Sequence, residues 1–143
     1  MKRGGPLRRT APLRSSRGIV RGKPIRVRGV NWTKAWAAVR RAVYERDGGL
    51  CVACGTWVPP DDFECHHRLL RSQGGKDNPG NLVTLHHECH DRAHRDRHWS
   101  RQRQLILRPS PGIDPASVPV TDHTGRRWLL SSDGTRTPYE EAA

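Results

Sequence analysis

Glu64-Cys65-His66-His67, then a polar loop through Gly74-Gly75, then Asn81-Leu82-Val83-Thr84-Leu85-His86-His87-Glu88-Cys89-His90-Asp91-Arg92-Ala93-His94 is the stretch that decides the fold. Phe63 to Leu69 reads as one strand and the short apolar run Leu82 to Leu85 as a second, with turn formers between them. A histidine-rich helix is predicted from about His87 to about Trp99. On it His90 and His94 are four residues apart and share a face, which His98 continues. The order is strand, loop, strand, helix. Adjacent strand residues point to opposite sides, so His66 and His67 can serve one site only if the strand bends or ends there. The glycine-rich loop that begins a few residues later is consistent with such an end.

Upstream of this stretch, Trp32, Trp36, Val39 and Val43 make one apolar stripe, the signature of an amphipathic helix. Asn31 or Thr33 can cap its start, and Gly48-Gly49 offers the left-handed backbone that ends it. Trp57-Val58, before Pro59-Pro60, reads as a short strand ending in a turn. Downstream of Ser100, prolines break any long element, and Val118–Val120 with Trp128–Leu130 could pair as a hairpin around Asp122-His123-Thr124-Gly125. These signals divide the chain into 1–30, a flexible basic arm; 31–100, the functional domain; and 101–143, a C-terminal extension with a short hairpin. The fold class expected is α+β.

The 143 residues are 34% hydrophobic with a single Phe and a single Met, so the core is thin and a structural metal is a physical expectation. No apolar secretory segment follows Met1-Lys2-Arg3, which argues for reduced thiols rather than disulfides among the four cysteines. No run approaches the roughly 18 apolar residues of a membrane span. The expectation is a soluble cytoplasmic protein with no membrane partner.

The net charge of +12 is unevenly placed. Residues 1–30 hold ten Lys or Arg and no Asp or Glu, leaving sixteen basic and fourteen acidic residues for the remainder. Such an arm, interrupted by glycine and proline, suits disorder and attraction to a polyanion through counterion release. Double-stranded DNA is the partner expected.

Two metal sites are legible. Cys51 and Cys54 are two residues apart, and His86 with Cys89 repeats the spacing, which together make four ligands for a tetrahedral structural zinc. His87 could replace His86. A Cys2His2 finger fails because no second histidine follows His66 or His67 at the required distance. Cys65 has no partner at ligand spacing and reads as a small buried residue. The second site is one divalent cation, Mg, Mn, Ni or Zn, held by His66, His90 and His94. His67 beside it, its protonated form disfavoured by the cation, is placed to act as general base on water. A Lewis acid, a base and a phosphate fit phosphodiester hydrolysis.

The ordered set Cys51-Val52-Ala53-Cys54-Gly55, Glu64-Cys65-His66-His67, Gly74-Gly75, Asn81-Leu82-Val83 and Cys89-His90-Asp91-Arg92-Ala93-His94 resembles the HNH, or ββα-metal, nucleases over roughly residues 31–100. It is most similar to the small HNH endonucleases of bacteriophages. The resemblance implies a β-hairpin and helix around one divalent ion, with an amphipathic helix and zinc knuckle before it, cutting DNA to leave 5′-phosphate and 3′-hydroxyl ends. By position it makes His67 the general base, His66 a metal ligand where many members have Asp, and His90 and His94 the helix ligands. Asn81 matches the middle letter of the family name, and we read it as a pin for the loop. His at 66 in place of Asp softens the site toward zinc, nickel or manganese relative to magnesium. His86 stands where most relatives with a knuckle have Cys. The resemblance extends to phage DNA packaging or processing, with packaging proteins as partners. Glu64 could orient a ligand, and Arg68, Arg71, Arg92 and Arg95 could hold phosphates. The alternative of another class is a non-catalytic zinc-stabilised DNA-binding protein, against which an unliganded His67 speaks. An RNA-directed nuclease or toxin is a third.

Overall fold

Thr33 opens the first helix, α1 (Lys34–Arg46), where its side chain accepts from Trp36 N at 3.3 Å. The computed structural model describes residues 33–141. The basic arm expected over 1–30, the cap expected at Asn31 and the first stripe residue, Trp32, lie outside the described residues. Within α1, alanine and long straight side chains favour the helix, Val43 is buried, and Trp36 and Val39 are half-buried on the same face. The helix ends at Asp47, and Gly48 and Gly49 follow at φ 67° and 69°, a left-handed backbone that glycine adopts without steric cost.

That end of α1 is anchored by a buried ion pair. Arg46 Nε donates to Asp47 Oδ1 at 2.9 Å, while its two Nη atoms donate to the carbonyls of Pro79 and Leu82, each at 2.7 Å. Asp47 Oδ2 accepts from Thr84 N at 2.8 Å. Both charges are thereby hydrogen-bonded, the condition for tolerating a pair in the interior, and α1 is held against the second strand.

β1 (Glu64–His67) runs antiparallel to β2 (Leu82–Leu85), in a register that places Glu64 opposite Leu85 and His67 opposite Leu82. All four residues of β2 are buried, whereas in β1 only His66 is. Helix α2 (His87–Arg95) follows β2 after one residue, which gives the β-β-α order read from the sequence. Trp57 forms no regular strand but a single antiparallel bridge with Leu50.

One long helix to Trp99 was the expectation, and the structure has two. Asp96 (φ −101°, ψ 85°) leaves the helical region, and its carboxylate caps a second helix, α3 (Arg97–Gln102), by accepting from Trp99 N at 3.0 Å. The break removes His98 from the face of His90 and His94; its Nε2 meets Gln102 Nε2 instead.

The C-terminal extension forms a three-stranded antiparallel meander, β3 (Val120–Thr121), β4 (Arg127–Leu130) and β5 (Arg136–Pro138). Its first hairpin pairs Val120 with Trp128 around the Asp122–Gly125 turn. Asp122 Oδ1 accepts from the backbone of Thr124 and Arg126, and Oδ2 from Trp128 Nε1. β5 has no signal in the sequence. Leu105, Val120 and Leu130 share one core with Cys51, Val58, Val83 and Leu85, so the extension is integral to the domain packing.

Arg68 makes the tightest link between them. It is fully buried, and its guanidinium donates to the carbonyls of Gln104 (2.9 Å), Pro115 (3.1 Å) and Val118 (2.7 Å). Leu107 N returns a bond to Arg68 O at 2.8 Å. Burial lowers the guanidinium pKa to about 9, which leaves it charged at neutral pH. Arg68 is therefore no phosphate holder, contrary to the expectation from its position beside the histidines. The whole is a small α+β domain, and among the described residues no helix is long and apolar enough to cross a membrane.

Candidate metal centre and active site

β1 directs His66 inward against the α2 face that carries His90 and His94. One ligand atom from each of the three histidines lies within 4.8 Å of the other two, and the ring centroids are 4.7–5.2 Å apart. The His90 and His94 Nε2 atoms approach to 3.2 Å. His66 is 1% exposed, and its Nε2 lies 2.9 Å from the carbonyl of Leu105, to which it can only donate. That assigns the proton to Nε2 and leaves Nδ1 a bare lone pair, buried and without a protein partner. Burial pushes the His66 pKa down to about 3 and, aided by His90, lowers that of His94. An orphaned imidazole nitrogen beside two further imidazoles suits a divalent cation of the zinc type, with Leu105 O orienting the ligand from behind.

His67 leaves the strand on the other side, where its ring stacks on Trp36 at 5.9 Å between centroids and 14° between planes. Its Nε2 lies 2.6 Å from Asp77 Oδ1, and Arg71 forks onto the same carboxylate through Nε and Nη2, each at 3.0 Å. Burial lowers the His67 pKa, Asp77 opposes this and Arg71 adds to it. Because β1 ends at His67, both neighbouring histidines reach one open cleft of about 280 Å³, which His90, His94, Arg71 and Ser72 also line. The strand end anticipated from the sequence is what permits this.

Asn81 is completely buried, and its amide is spent on the loop. Oδ1 accepts from Leu69 N at 2.7 Å, and Nδ2 donates to the carbonyls of Leu69 (3.0 Å) and Lys76 (3.1 Å). It lines a different cavity from the histidines, with Leu69, Lys76 and Ile113. Gly75 makes this close loop possible, since a Cβ there would fall 1.7 Å from Leu69 O.

The second cluster contains Cys51, Cys54 and Cys89, whose sulfurs also lie within 4.8 Å of one another. The knuckle is closed by Gly55 N donating to Cys51 O at 2.7 Å, and Gly55, at φ 75°, sits against the His123 ring. Burial raises the Cys51 thiol and pushes Cys89 up to about 12. At Cys54 burial is outweighed by hydrogen bonds from Thr56, and the pKa falls. The His86 ring is not part of this cluster. It stands at the cap of α2, three residues before Cys89, with no side-chain bond to the helix. Its alternative, His87, is exposed and meets Glu64 Oε1 at 3.2 Å. Cys65 packs beside the core, and burial raises it to about 12.

The family model for the HNH endonuclease matches residues 51–96. The chain carries an HNH endonuclease domain. No curated protein and no solved structure matches the chain. The match supports a function of nuclease type. The matched span of this HNH domain begins at Cys51 and ends at Asp96, where α2 ends, and encloses the thiol cluster, the histidine cluster, His67 and Asn81. Helix α1 and the segment that follows α3 lie outside it, yet supply Trp36 and the Leu105 carbonyl to its two histidine environments. Sequence reasoning overlooked Leu105, whose contribution is a backbone atom, and Asp77, an unremarkable carboxylate in a polar loop. An acidic residue ten positions after a candidate base was the available signal for the second.

Proposed function

We propose that the HNH domain cuts double-stranded DNA by single-metal phosphodiester hydrolysis with His67 as general base. The observation that carries this reading is the buried, unpartnered Nδ1 of His66, set with His90 and His94 in the same cleft as His67, which is not one of the three clustered histidines. His66, His90 and His94 would hold the divalent cation, with zinc, nickel or manganese favoured over magnesium by three nitrogen ligands. A cation bound there supplies Lewis acidity to the scissile phosphate and charge stabilisation to the leaving oxygen.

The chain's own part is proton transfer and placement. His67 is neutral, because burial disfavours its charged form, and takes a proton from the attacking water. The water oxygen bonds to phosphorus as the bond to the 3′ oxygen breaks, leaving a 5′-phosphate and a 3′-hydroxyl. Asn81 pins the loop from Leu69 to Lys76, so that Arg71 and Asp77 stay beside the base. Cys51, Cys54 and Cys89 would hold a structural zinc. His86 is the fourth ligand proposed from its spacing to Cys89 and from its backbone bond to Cys51, and its ring, which stands outside the thiol cluster, would have to turn toward the ion. A place in phage DNA packaging or processing is carried by the resemblance alone.

The test is supercoiled plasmid offered to wild type and His67→Ala with each of zinc, nickel, manganese and magnesium. His67→Ala should keep its fold and metal content and lose roughly 100- to 10,000-fold in cleavage rate. Undiminished cutting by this variant refutes the mechanism.

A further inference from the structure

We propose that Asp77 is a positioning residue for His67, holding the imidazole in its Nε2–H tautomer so that Nδ1 is the nitrogen left to accept a proton. The inference deepens, and rests on, the reading of His67 as general base. It begins from the 2.6 Å separation of His67 Nε2 and Asp77 Oδ1. A carboxylate only accepts, so a contact this short requires the proton to sit on the ring nitrogen. Arg71 Nε lies 3.2 Å from that nitrogen and 3.0 Å from Asp77 Oδ1, and has a single hydrogen to give. The carboxylate takes it, because Arg71 Nη2 bonds Oδ2 at 3.0 Å and completes the parallel fork.

Three further contacts make the arrangement rigid enough to matter. Trp36 covers one face of the His67 ring, and Arg71 Cζ lies 5.1 Å from the Trp36 centroid. The loop that carries Asp77 is tied down one residue earlier, where Lys76 O accepts from Asn81 Nδ2. Asp77 thus stands to His67 as the Leu105 carbonyl stands to His66. Each accepts a hydrogen bond from Nε2–H, and each leaves Nδ1 free for its separate task. The Asp77 side chain is half exposed, so its replacement spares the core.

The experiment uses the full chain, ¹⁵N-labelled and loaded with zinc, as wild type, Asp77→Asn and Asp77→Glu. Long-range ¹H–¹⁵N correlation spectra report the tautomer of His67, and cleavage of a duplex oligonucleotide gives kcat and KM in whichever cation supports wild-type cutting. Wild type should show the Nε2–H pattern. Asparagine at 77 can offer its amide N–H to Nε2, so Asp77→Asn should gain the Nδ1–H tautomer. Its kcat should fall roughly 10- to 100-fold, with KM and zinc affinity within about twofold of wild type. Asp77→Glu should restore most of the rate. An unchanged tautomer, an unchanged kcat, or a loss that follows KM or zinc affinity overturns the proposal. A His67→Ala control separates the two failures. If it is inactive while Asp77→Asn is normal, only the role of Asp77 falls. If it cuts like wild type, the general-base reading falls, and the catalytic role of Asp77 with it.

Discussion

Replacing Arg68 with Met should unlatch the C-terminal extension and loosen the histidine site together. Methionine keeps an unbranched apolar stem of similar reach but has no donor for the carbonyls of Gln104, Pro115 and Val118. A hydrogen bond from a charged donor contributes roughly 1.5–3 kcal/mol, so three set a gross loss of about 5–9 kcal/mol. Removing the charge also removes its desolvation cost, which offsets part of this. A net destabilisation of about 3–4 kcal/mol follows, or roughly 12–30 °C in Tm for a domain of this size. The site is affected because Gln104 O, held by Arg68, immediately precedes Leu105 O, which accepts from His66. Loss of that orienting contact should weaken the catalytic cation roughly 10- to 100-fold. Urea titration reads the first quantity as a fall in midpoint at constant slope, and competition with a chromophoric chelator reads the second. Arg68→Lys, with its charge on a single nitrogen, should fall between the two. A loss under about 1 kcal/mol, or wild-type cation affinity in folded Arg68→Met, would refute this coupling.

Cys51→Ser should lose one equivalent of zinc and unfold cooperatively at or below room temperature, because a structural zinc contributes folding energy directly; a stably folded variant without that zinc rejects the knuckle. Gly75→Ala forces a Cβ to within 1.7 Å of Leu69 O, so the loop must move and Asn81 must lose its partners. A destabilisation of at least about 2 kcal/mol in urea melts, with impaired cleavage, is expected. Acid should act through His66. Its folded pKa of about 3 lies below the ordinary 6.5, so the unfolded chain binds the proton first. The stability it contributes is whole above about pH 6.5 and declines by up to about 1.4 kcal/mol per pH unit as pH falls toward 3. Urea midpoints between pH 7 and 4, without added divalent cation, should fall less steeply in His66→Gln, and equal slopes would dismiss the assignment.

Elements whose signal is local were legible from the chain. The α1 stripe, the apolar run of β2, and the four-residue spacing of His90 and His94 each follow from a repeat that the backbone imposes over a few residues. The grouping of Cys51 and Cys54 with Cys89 was legible for the same reason, since a two-residue spacing at a knuckle restricts where the side chains can aim. The division of one helix into α2 and α3 left a trace in Asp96, a capping residue that the histidine periodicity overshadowed. The set aside of His98 follows from that break.

What the amino-acid sequence determined by itself was the β-β-α order, the placing of His66 and His67 at a strand end, and the presence of two clusters of metal-binding side chains. Tertiary structure alone decided which nitrogen of His66 and of His67 is free, that Arg68 faces the interior, that the His86 ring stands outside the thiol cluster, and that the extension supplies the Leu105 carbonyl behind His66. These depend on contacts between residues some 10 to 50 positions apart, made largely through backbone carbonyls that every residue possesses. A carbonyl leaves no mark in a side-chain pattern, so its placement is known only once the chain has closed on itself.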